Sequence, residues 1–370
     1  MERQSKRRRT REIRVGSVPV GGNNPVVIQS MTNTDTRDVA ATLAQIAALR
    51  DAGCQIVRVA VPDSEAAAAL RRLSRESALP LIADIHFDHR LALAAIAAGV
   101  HGLRLNPGNI GSRRAAREVA RAARDGGIPI RVGVNAGSLE REIAARHGGV
   151  TARGMVESAL AHVELLAAEN HDQVKISLKA SRVPLMIEAY HLLAAQTDYP
   201  LHIGVTEAGT ARGGVVKSAV GIGSLLAAGI GDTIRVSLTG DPVAEIPVAR
   251  AILDALELRP NRREVVSCPT CARTGIDVEG LAARVEEKLS ALPELRRPLT
   301  VAVMGCAVNG PGEAREADFG VAGGSGLGVF FARGRVRAKL REEELLPALF
   351  RAIDEFVRED AVTRNPIVTS

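Results

Sequence analysis

Three of the four cysteines in this 370-residue chain fall in two patches, Cys268-Pro-Thr-Cys271 and Gly305-Cys306-Ala-Val-Asn-Gly-Pro-Gly-Glu313. A thiolate pair spaced C-x-x-C, joined by a third thiolate downstream, is a donor set for a soft metal or an iron–sulfur cluster. Cys54, the fourth, lies far upstream in an alanine-rich helical setting and reads as a small buried hydrophobe. A fourth ligand must therefore be of another kind, and the Glu313 carboxylate, seven residues after Cys306, is within reach. Three readings compete on spacing. Structural zinc prefers four Cys or His ligands, usually as two close pairs, and the second pair is missing. A thioredoxin-like dithiol uses Cys268 and Cys271 and leaves Cys306 idle. A cluster on three thiolates with a weak oxygen ligand employs all four groups and leaves one iron able to exchange Glu313 for substrate.

The elements that would hold a substrate for such a centre lie upstream. Short β-branched runs at 26–32, 56–62, 81–87, 102–108, 130–136, 174–181, 201–209 and 233–241 are each followed by a helical pattern. The first helix, with Asp35 or Thr36 as its cap, carries Val39, Leu43, Ile46 and Leu49 at helical spacing. Eight sequential strand–helix units, with strands that read as buried on both faces, predict a closed (β/α)8 TIM-type barrel of the α/β class. A doubly wound open sheet is the alternative. It is disfavoured because no G-x-G-x-x-G follows the first strand and no G-x-x-x-x-G-K-[ST] occurs.

A barrel enzyme works at the C-terminal ends of its strands. The polar residues there are Arg58, Asp84 with His86, Arg104 with Asn106, Arg131 with Asn135, Lys175 with Lys179, Glu207, and Arg235 with Ser237. Period two puts Arg131 and Asn135 on one face of their strand, and Lys175, Ser177 and Lys179 on one face of the next. Charge inside a core strand is costly unless it is paired or bound to a ligand. Four arginines and a lysine at one mouth point to an anion with several oxygens, a phosphate or diphosphate, which the planar fork of arginine suits. Ion pairing between strands is the structural alternative for any single arginine. Glu207, the lone carboxylate of a basic mouth, is the candidate acid or base. His101 and His162 read as structural.

Domain limits follow: a flexible basic tail at 1–14, the barrel at 15–258, and a small α/β metal domain at 262–370, with 257–267 a polar boundary. In the last of these, a helix at 280–295 and a strand at 299–304 make an out-and-back excursion that returns Cys306 beside Cys268 and Cys271. Two short strands around turns at 319–337 and a closing helix at 342–357 complete it.

Net charge is +6, and residues 1–14 alone, with seven basic against two acidic side chains, hold +5 of it. The tail reads as solvated, and no nucleic-acid binding is expected, because a chain with no Trp, two Tyr and six Phe has few stacking platforms. No apolar run spans a bilayer, no signal-peptide core follows the basic start, and three cysteines make a poor disulfide framework. The expected location is the cytoplasm, away from membranes, with reduced thiols.

Five motifs occur together in order: Asn106-Pro-Gly-Asn-Ile-Gly111, Arg131-Val-Gly-Val-Asn-Ala-Gly-Ser-Leu139, Thr206-Glu-Ala-Gly209, Cys268-Pro-Thr-Cys271 and Gly305-Cys306-x-Val-Asn-Gly-Pro-Gly-Glu313. In these the chain, over roughly residues 10–360, resembles the 4-hydroxy-3-methylbut-2-enyl diphosphate synthase family of the methylerythritol phosphate route to isoprenoids, in its compact bacterial two-domain form. The resemblance implies a [4Fe–4S] cluster on Cys268, Cys271, Cys306 and Glu313, and a two-electron reductive ring opening of methylerythritol cyclodiphosphate with loss of a hydroxyl as water. It implies that Arg58, Arg104, Arg131, Lys179 and Arg235 hold the diphosphate. Asn135, Ser237 and Asn309 are then neutral partners, Asp84 and His86 line the site, and Glu207 delivers a proton. It further implies a flavodoxin or ferredoxin donor and a head-to-tail homodimer in which one subunit's cluster domain caps the partner's barrel. Two rivals remain. A zinc-bearing barrel enzyme for a phosphorylated sugar, such as an aldolase, would be colourless and iron-free. A cluster protein that binds RNA through the tail would lose function on deletion of residues 1–12, whereas the synthase reading expects near-normal turnover.

Overall fold

A hairpin of β1 (Glu12–Val15) and β2 (Val18–Gly21) opens the chain, ahead of β3 (Val27–Met31), in the computed structural model, which describes residues 7–106, 112–306, 312, 314–324 and 326–362. Strand and helix then alternate: α1 (Val39–Ala52), β4 (Ile56–Val61), α2 (Ser64–Glu76), β5 (Leu81–Ile85), α3 (His89–Ala97), β6 (Gly102–Leu105), α4 (Arg113–Asp125) and β7 (Ile130–Asn135). After the short α5 (Arg141–Arg146) come α6 (Ala152–Ala167), β8 (Val174–Lys179), α7 (Val183–Ala194), β9 (His202–Ile203), α8 (Ala211–Ala227), β10 (Thr233–Ile234) and α9 (Glu245–Ala255). Side-chain oxygens of Asp38, Asp63, Asp88, Ser112 and Thr151 each accept a first-turn backbone N–H, which fixes where five of the helices begin. For α1 the cap is Asp38 rather than Asp35 or Thr36. Asp35 is taken by the Arg37 guanidinium at 2.7 Å, and the Thr36 hydroxyl donates to the Ala60 carbonyl at 2.7 Å.

Strands β3 to β10 pair in parallel in chain order. β10 returns to β3, with Thr233 opposite Val27, and a parallel bridge from Ile176 to Leu201 joins β8 to the strand leading into β9. The sheet is therefore closed, the (β/α)8 barrel that the eight repeats predict. Outward-facing Ile28, Val57, Val59, Ala83, Leu103, Val132 and Ile176 pack beneath the helices as one buried cluster, which leaves the inward positions free for polar side chains.

The basic N-terminus overturns the expectation of a solvated tail, from residue 7 onward. Arg7 bonds the Asn24 carbonyl at 2.6 Å and pairs with the buried Asp232 at 3.3 Å. Arg8 donates to the carbonyls of Thr197 and Tyr199, and Arg11 pairs with Asp198 and lies over the Tyr199 ring at 3.9 Å. These arginines meet the carboxylates and carbonyls gathered at the N-terminal ends of β9 and β10. Beyond them, Ile13, Val15 and Val20 of the hairpin pack on Val27, Ile56 and Ile82, the first inward residues of β3, β4 and β5, and floor the barrel.

The chain divides into two compact units, Met1–Leu258 and Arg259–Ser370. The second contains β11 (Arg263–Ser267), α10 (Val278–Ser290), β12 (Leu299–Met304), β13 (Phe319–Ala322), β14 (Gly328–Ala332), β15 (Arg335–Leu340) and α11 (Glu342–Val362). The strands lie side by side in chain order; β11, β12 and β13 run parallel, and β14 and β15 alternate. Its own core joins Val285 and Leu289 of α10, Val301, Val303 and Val321 of the sheet, and Leu345, Leu349 and Ile353 of α11. Residues 263–267, expected to be a polar boundary, form β11: as an edge strand it stays half exposed, so polar residues cost little there. The 319–337 stretch and the residues after it give three strands rather than two. No helix among the described residues is long and apolar enough to cross a membrane.

Candidate functional site

Six cationic side chains line the inside of the barrel. Arg58, Arg104, Arg131, Lys175 and Lys179 are buried, and the side chain of Arg235 is 16% exposed. Two carboxylates pair with them. Asp84 receives Arg104 at 3.0 Å and Arg58 at 3.4 Å, and His86 Nε2 lies 2.9 Å from Arg104. The second carboxylate was not legible in the sequence: Glu245, the first residue of α9, is buried and accepts from Arg235 at 3.3 Å, from Ser30 at 3.0 Å and from the Leu238 N–H at 3.1 Å. Arg58 and Arg235 also converge on one sulfur, Met31 Sδ, at 2.9 and 3.6 Å. Glycine makes room in the lumen: a Cβ at Gly133 would sit 2.8 Å from Arg104 Nε, and one at Gly204 would overlap the Arg235 carbonyl oxygen and sit 3.1 Å from Lys179 Nζ.

The charge is unbalanced. Arg104, Arg131 and Lys175 are neighbours in one row across β6, β7 and β8, and like charges side by side on a sheet repel. Arg104 Nε, Arg131 Nε and Nη1, Lys175 Nζ and His202 Nε2 are buried and find no hydrogen-bond partner among the described residues. Burial pushes Arg58 down to about 10 against the pull of Asp84, and burial followed by Arg58 and Arg104 pushes Arg131 well below its ordinary value. Burial, Arg131 and Arg235 do the same to the Lys179 ammonium. At Asp84 burial works the other way, yet Arg58, His86, Arg104 and Arg131 together hold its carboxyl well below the usual range. Arginine keeps its proton in proteins, so the lumen carries unmatched positive charge.

The remaining barrel residues of the predicted set stand at the C-terminal rim. Asn135 ends β7, Ser237 follows β10, and both are half-buried. Asn106, after β6, donates to Ser138 at 3.1 Å. Glu207 is exposed on the loop after β9, in no ion pair with a described residue, and has a left-handed backbone (φ +52°). That conformation is costly for a residue with a Cβ and is held where surrounding structure over-determines it. His101 and His162 are engaged by backbone groups, the Leu81 N–H and the Ser158 carbonyl. Cys54 is buried, and burial raises its thiol to about 11.

In the second unit the register places Ser267 opposite Val303, so the parallel strands β11 and β12 carry Cys268 and Cys306 just past the same end of the sheet. The N–H of Gly305 donates to Cys268 Sγ at 3.1 Å, and the Gly275 N–H to the Gly305 carbonyl at 2.9 Å. This laces the Cys268–Gly275 loop to the residue before Cys306. The exposed Cys271 thiol is held below its ordinary value by the Arg273 backbone N–H. Donors aimed at sulfur favour thiolate. Among the described residues, no group of three or more His, Cys, Asp or Glu is gathered closely enough to hold a metal ion. Asn309 and Glu313 lie outside the described residues, as do 107–111 of the Asn106–Gly111 motif.

Two family models match: the GcpE TIM-barrel domain over residues 10–250 and the GcpE protein C-terminal domain over residues 264–355. A 4-hydroxy-3-methylbut-2-en-1-yl diphosphate synthase (flavodoxin) of Geobacter sulfurreducens is 57% identical over 351 residues, covering 95% of this chain and 99% of its own. Relatives of the same name from Caldanaerobacter subterraneus subsp. tengcongensis (54%; 96% of this chain and 99% of theirs) and Brevibacillus brevis (53%; 97% and 99%) are similar throughout. The chain, barrel and C-terminal unit alike, belongs to the GcpE family.

Proposed function

We propose that the chain is an oxidoreductase that opens the ring of 2-C-methyl-D-erythritol 2,4-cyclodiphosphate to give 4-hydroxy-3-methylbut-2-enyl diphosphate for isoprenoid synthesis, with flavodoxin as electron donor. Identity with synthases of that name over more than nine-tenths of both chains carries the reading. Two electrons enter at the ring carbon as its C–O bond to the diphosphate breaks, and the freed diphosphate oxygen keeps that bond's own electron pair. The added pair on carbon then forms the C=C bond as the neighbouring hydroxyl, with its C–O pair, takes up a proton and leaves as water.

Arg58, Arg104, Arg131, Lys179 and Arg235 hold the diphosphate, and the unmatched charge of the lumen supports this. Asp84 fixes Arg58 and Arg104, Glu245 fixes Arg235, and His86 braces Arg104. These arginines therefore reorganise little when the anion arrives. Asn135, Ser237 and Asn309 add neutral hydrogen bonds, and Glu207 protonates the departing hydroxyl. Cys268, Cys271 and Cys306, with Glu313 as a fourth ligand, suit a [4Fe–4S] cluster: the N–H donor to Cys268 sulfur and the lowered Cys271 thiol are what thiolate ligation favours. When bound, such a cluster supplies low-potential electrons one at a time and an iron that acts as Lewis acid on the departing oxygen. Anion lumen and thiols belong to different units of the chain, and this supports a head-to-tail homodimer in which one subunit's cysteine unit serves the partner's barrel. Reduced thiols suit the cytoplasm.

The test is anaerobic purification, metal analysis, and turnover of the cyclodiphosphate with reduced flavodoxin. Near four irons and four sulfides per chain, with product formed, is the expected result. Zinc without sulfide, or a loaded protein that leaves the cyclodiphosphate unchanged, overturns the reading.

A further inference from the structure

Lys175 is the first inward residue of β8 and Lys179 the last, so Lys175 lies about 13 Å back along the strand, deeper in the barrel, at the ordinary strand rise. It is 2% exposed, and its ammonium nitrogen has no hydrogen-bond partner among the described residues. Its cross-strand neighbour is Arg131 of β7. The other charged groups that act on it are Arg58 of β4 and Asp232, just ahead of β10. His202 of β9 is a further titratable neighbour, and burial, with Arg131, Lys179, Lys175 and Arg58, keeps its imidazole neutral. When cations crowd a desolvated space, arginine holds its proton and lysine is the group that gives way.

We propose that Lys175 is a titrating counter-charge of the diphosphate site, giving up its proton readily in the empty barrel and taking one from solvent when the cyclic diphosphate binds Arg131 beside it. This rests on the assignment of the lumen as the diphosphate site. The bound anion neutralises Arg131, the nearest cation opposing a charge on Lys175, and so restores the ammonium. Lys175 is thereby a positioning residue that acts through Arg131. The empty-state balance fits: burial, then Arg131, pushes the Lys175 ammonium down to about 7, with Asp232 pulling the other way. The sign follows. Binding raises the pKa of Lys175, so its contribution to affinity is full below pH 7 and is lost as pH rises through the bound-state value. Each phosphorus of the cyclodiphosphate keeps only one strongly acidic hydroxyl, so the ligand contributes no proton of its own in this range.

The experiment is calorimetric titration of the oxidised holoenzyme with methylerythritol cyclodiphosphate, without donor, at pH 8 in two buffers of contrasting ionisation enthalpy. The difference counts the protons taken up per ligand bound. The wild-type protein should take up protons, Lys175→Met close to one fewer, and affinity should fall with rising pH more steeply in wild type than in the variant. Lys175→Arg, charged throughout, should also lose that proton while keeping the affinity seen at low pH, which a purely structural role would not produce. Binding without proton uptake in the wild-type protein, or an unchanged count in Lys175→Met, overturns the proposal and leaves the diphosphate site standing. If neither variant folds, a wild-type affinity that is flat between pH 6 and 9 overturns it. Absence of binding overturns the site and the proposal together.

Discussion

One carboxylate, Asp84, holds two arginines of the lumen at 3.0 and 3.4 Å. Asp84→Asn leaves both guanidinium groups buried beside a neutral amide, and breaking such a buried pair costs about 3–5 kcal/mol. Urea unfolding at pH 7 should show that loss. Because the folded-state carboxyl is depressed, the difference between wild type and variant should persist above the unfolded pKa near ~4 and shrink as pH falls below it. Glu207 calls for a different outcome. Glu207→Gln keeps the loop and removes the proton, so kcat should drop by about 10²–10⁴-fold with iron content unchanged; an active Glu207→Gln enzyme would remove it from the chemistry. Strand parity made the inward arginines and lysines legible, since a charge at every second residue of an apolar run has to face the lumen or a ligand. Glu245 was not legible, because its partners Ser30 and Arg235 meet it only when the barrel closes.

At the scale of elements, the arm and hairpin of residues 7–21 are the part that composition misread. A run of arginines looks solvated until the acceptors it will meet are known, and here they include Asp198, Asp232 and the carbonyls of Thr197 and Tyr199, all far along the chain. The alternation Glu12-Ile13-Arg14-Val15, exposed and buried by turns, was a strand signal hidden inside the charge run. Deleting residues 1–11 strips Asp232 of Arg7 and Thr10. Differential scanning calorimetry should then show the barrel melting roughly 5–10 °C lower, while turnover per folded molecule, set at the opposite end of the strands, stays near normal. The eight strand–helix repeats were legible because β-branched runs alternate with helical patterns, although the runs at 201–209 and 233–241 pair as strands over only two residues each, His202–Ile203 and Thr233–Ile234. β11 was not, because an edge strand tolerates polar residues that blur its pattern.

For the whole molecule, the chain builds two cores, one around an anion-seeking lumen and one beneath a thiol-bearing sheet end. Motif spacing conveyed both, but it could not convey how closely the thiols approach. If each active site joins one subunit's barrel to its partner's cysteine unit, co-expressing Glu207→Gln and Cys268→Ser chains yields mixed dimers with one intact site in two. Activity should then return to about a quarter of wild type, as random pairing into two-fold dimers gives; mixtures that stay inactive would assign each site to a single subunit. The floor of the barrel has its own consequence. Because Ile13, Val15 and Val20 close the N-terminal end, the lumen is a blind alley with one door. With the diphosphate bound there as proposed, a spent molecule has to back out by the way its precursor came in.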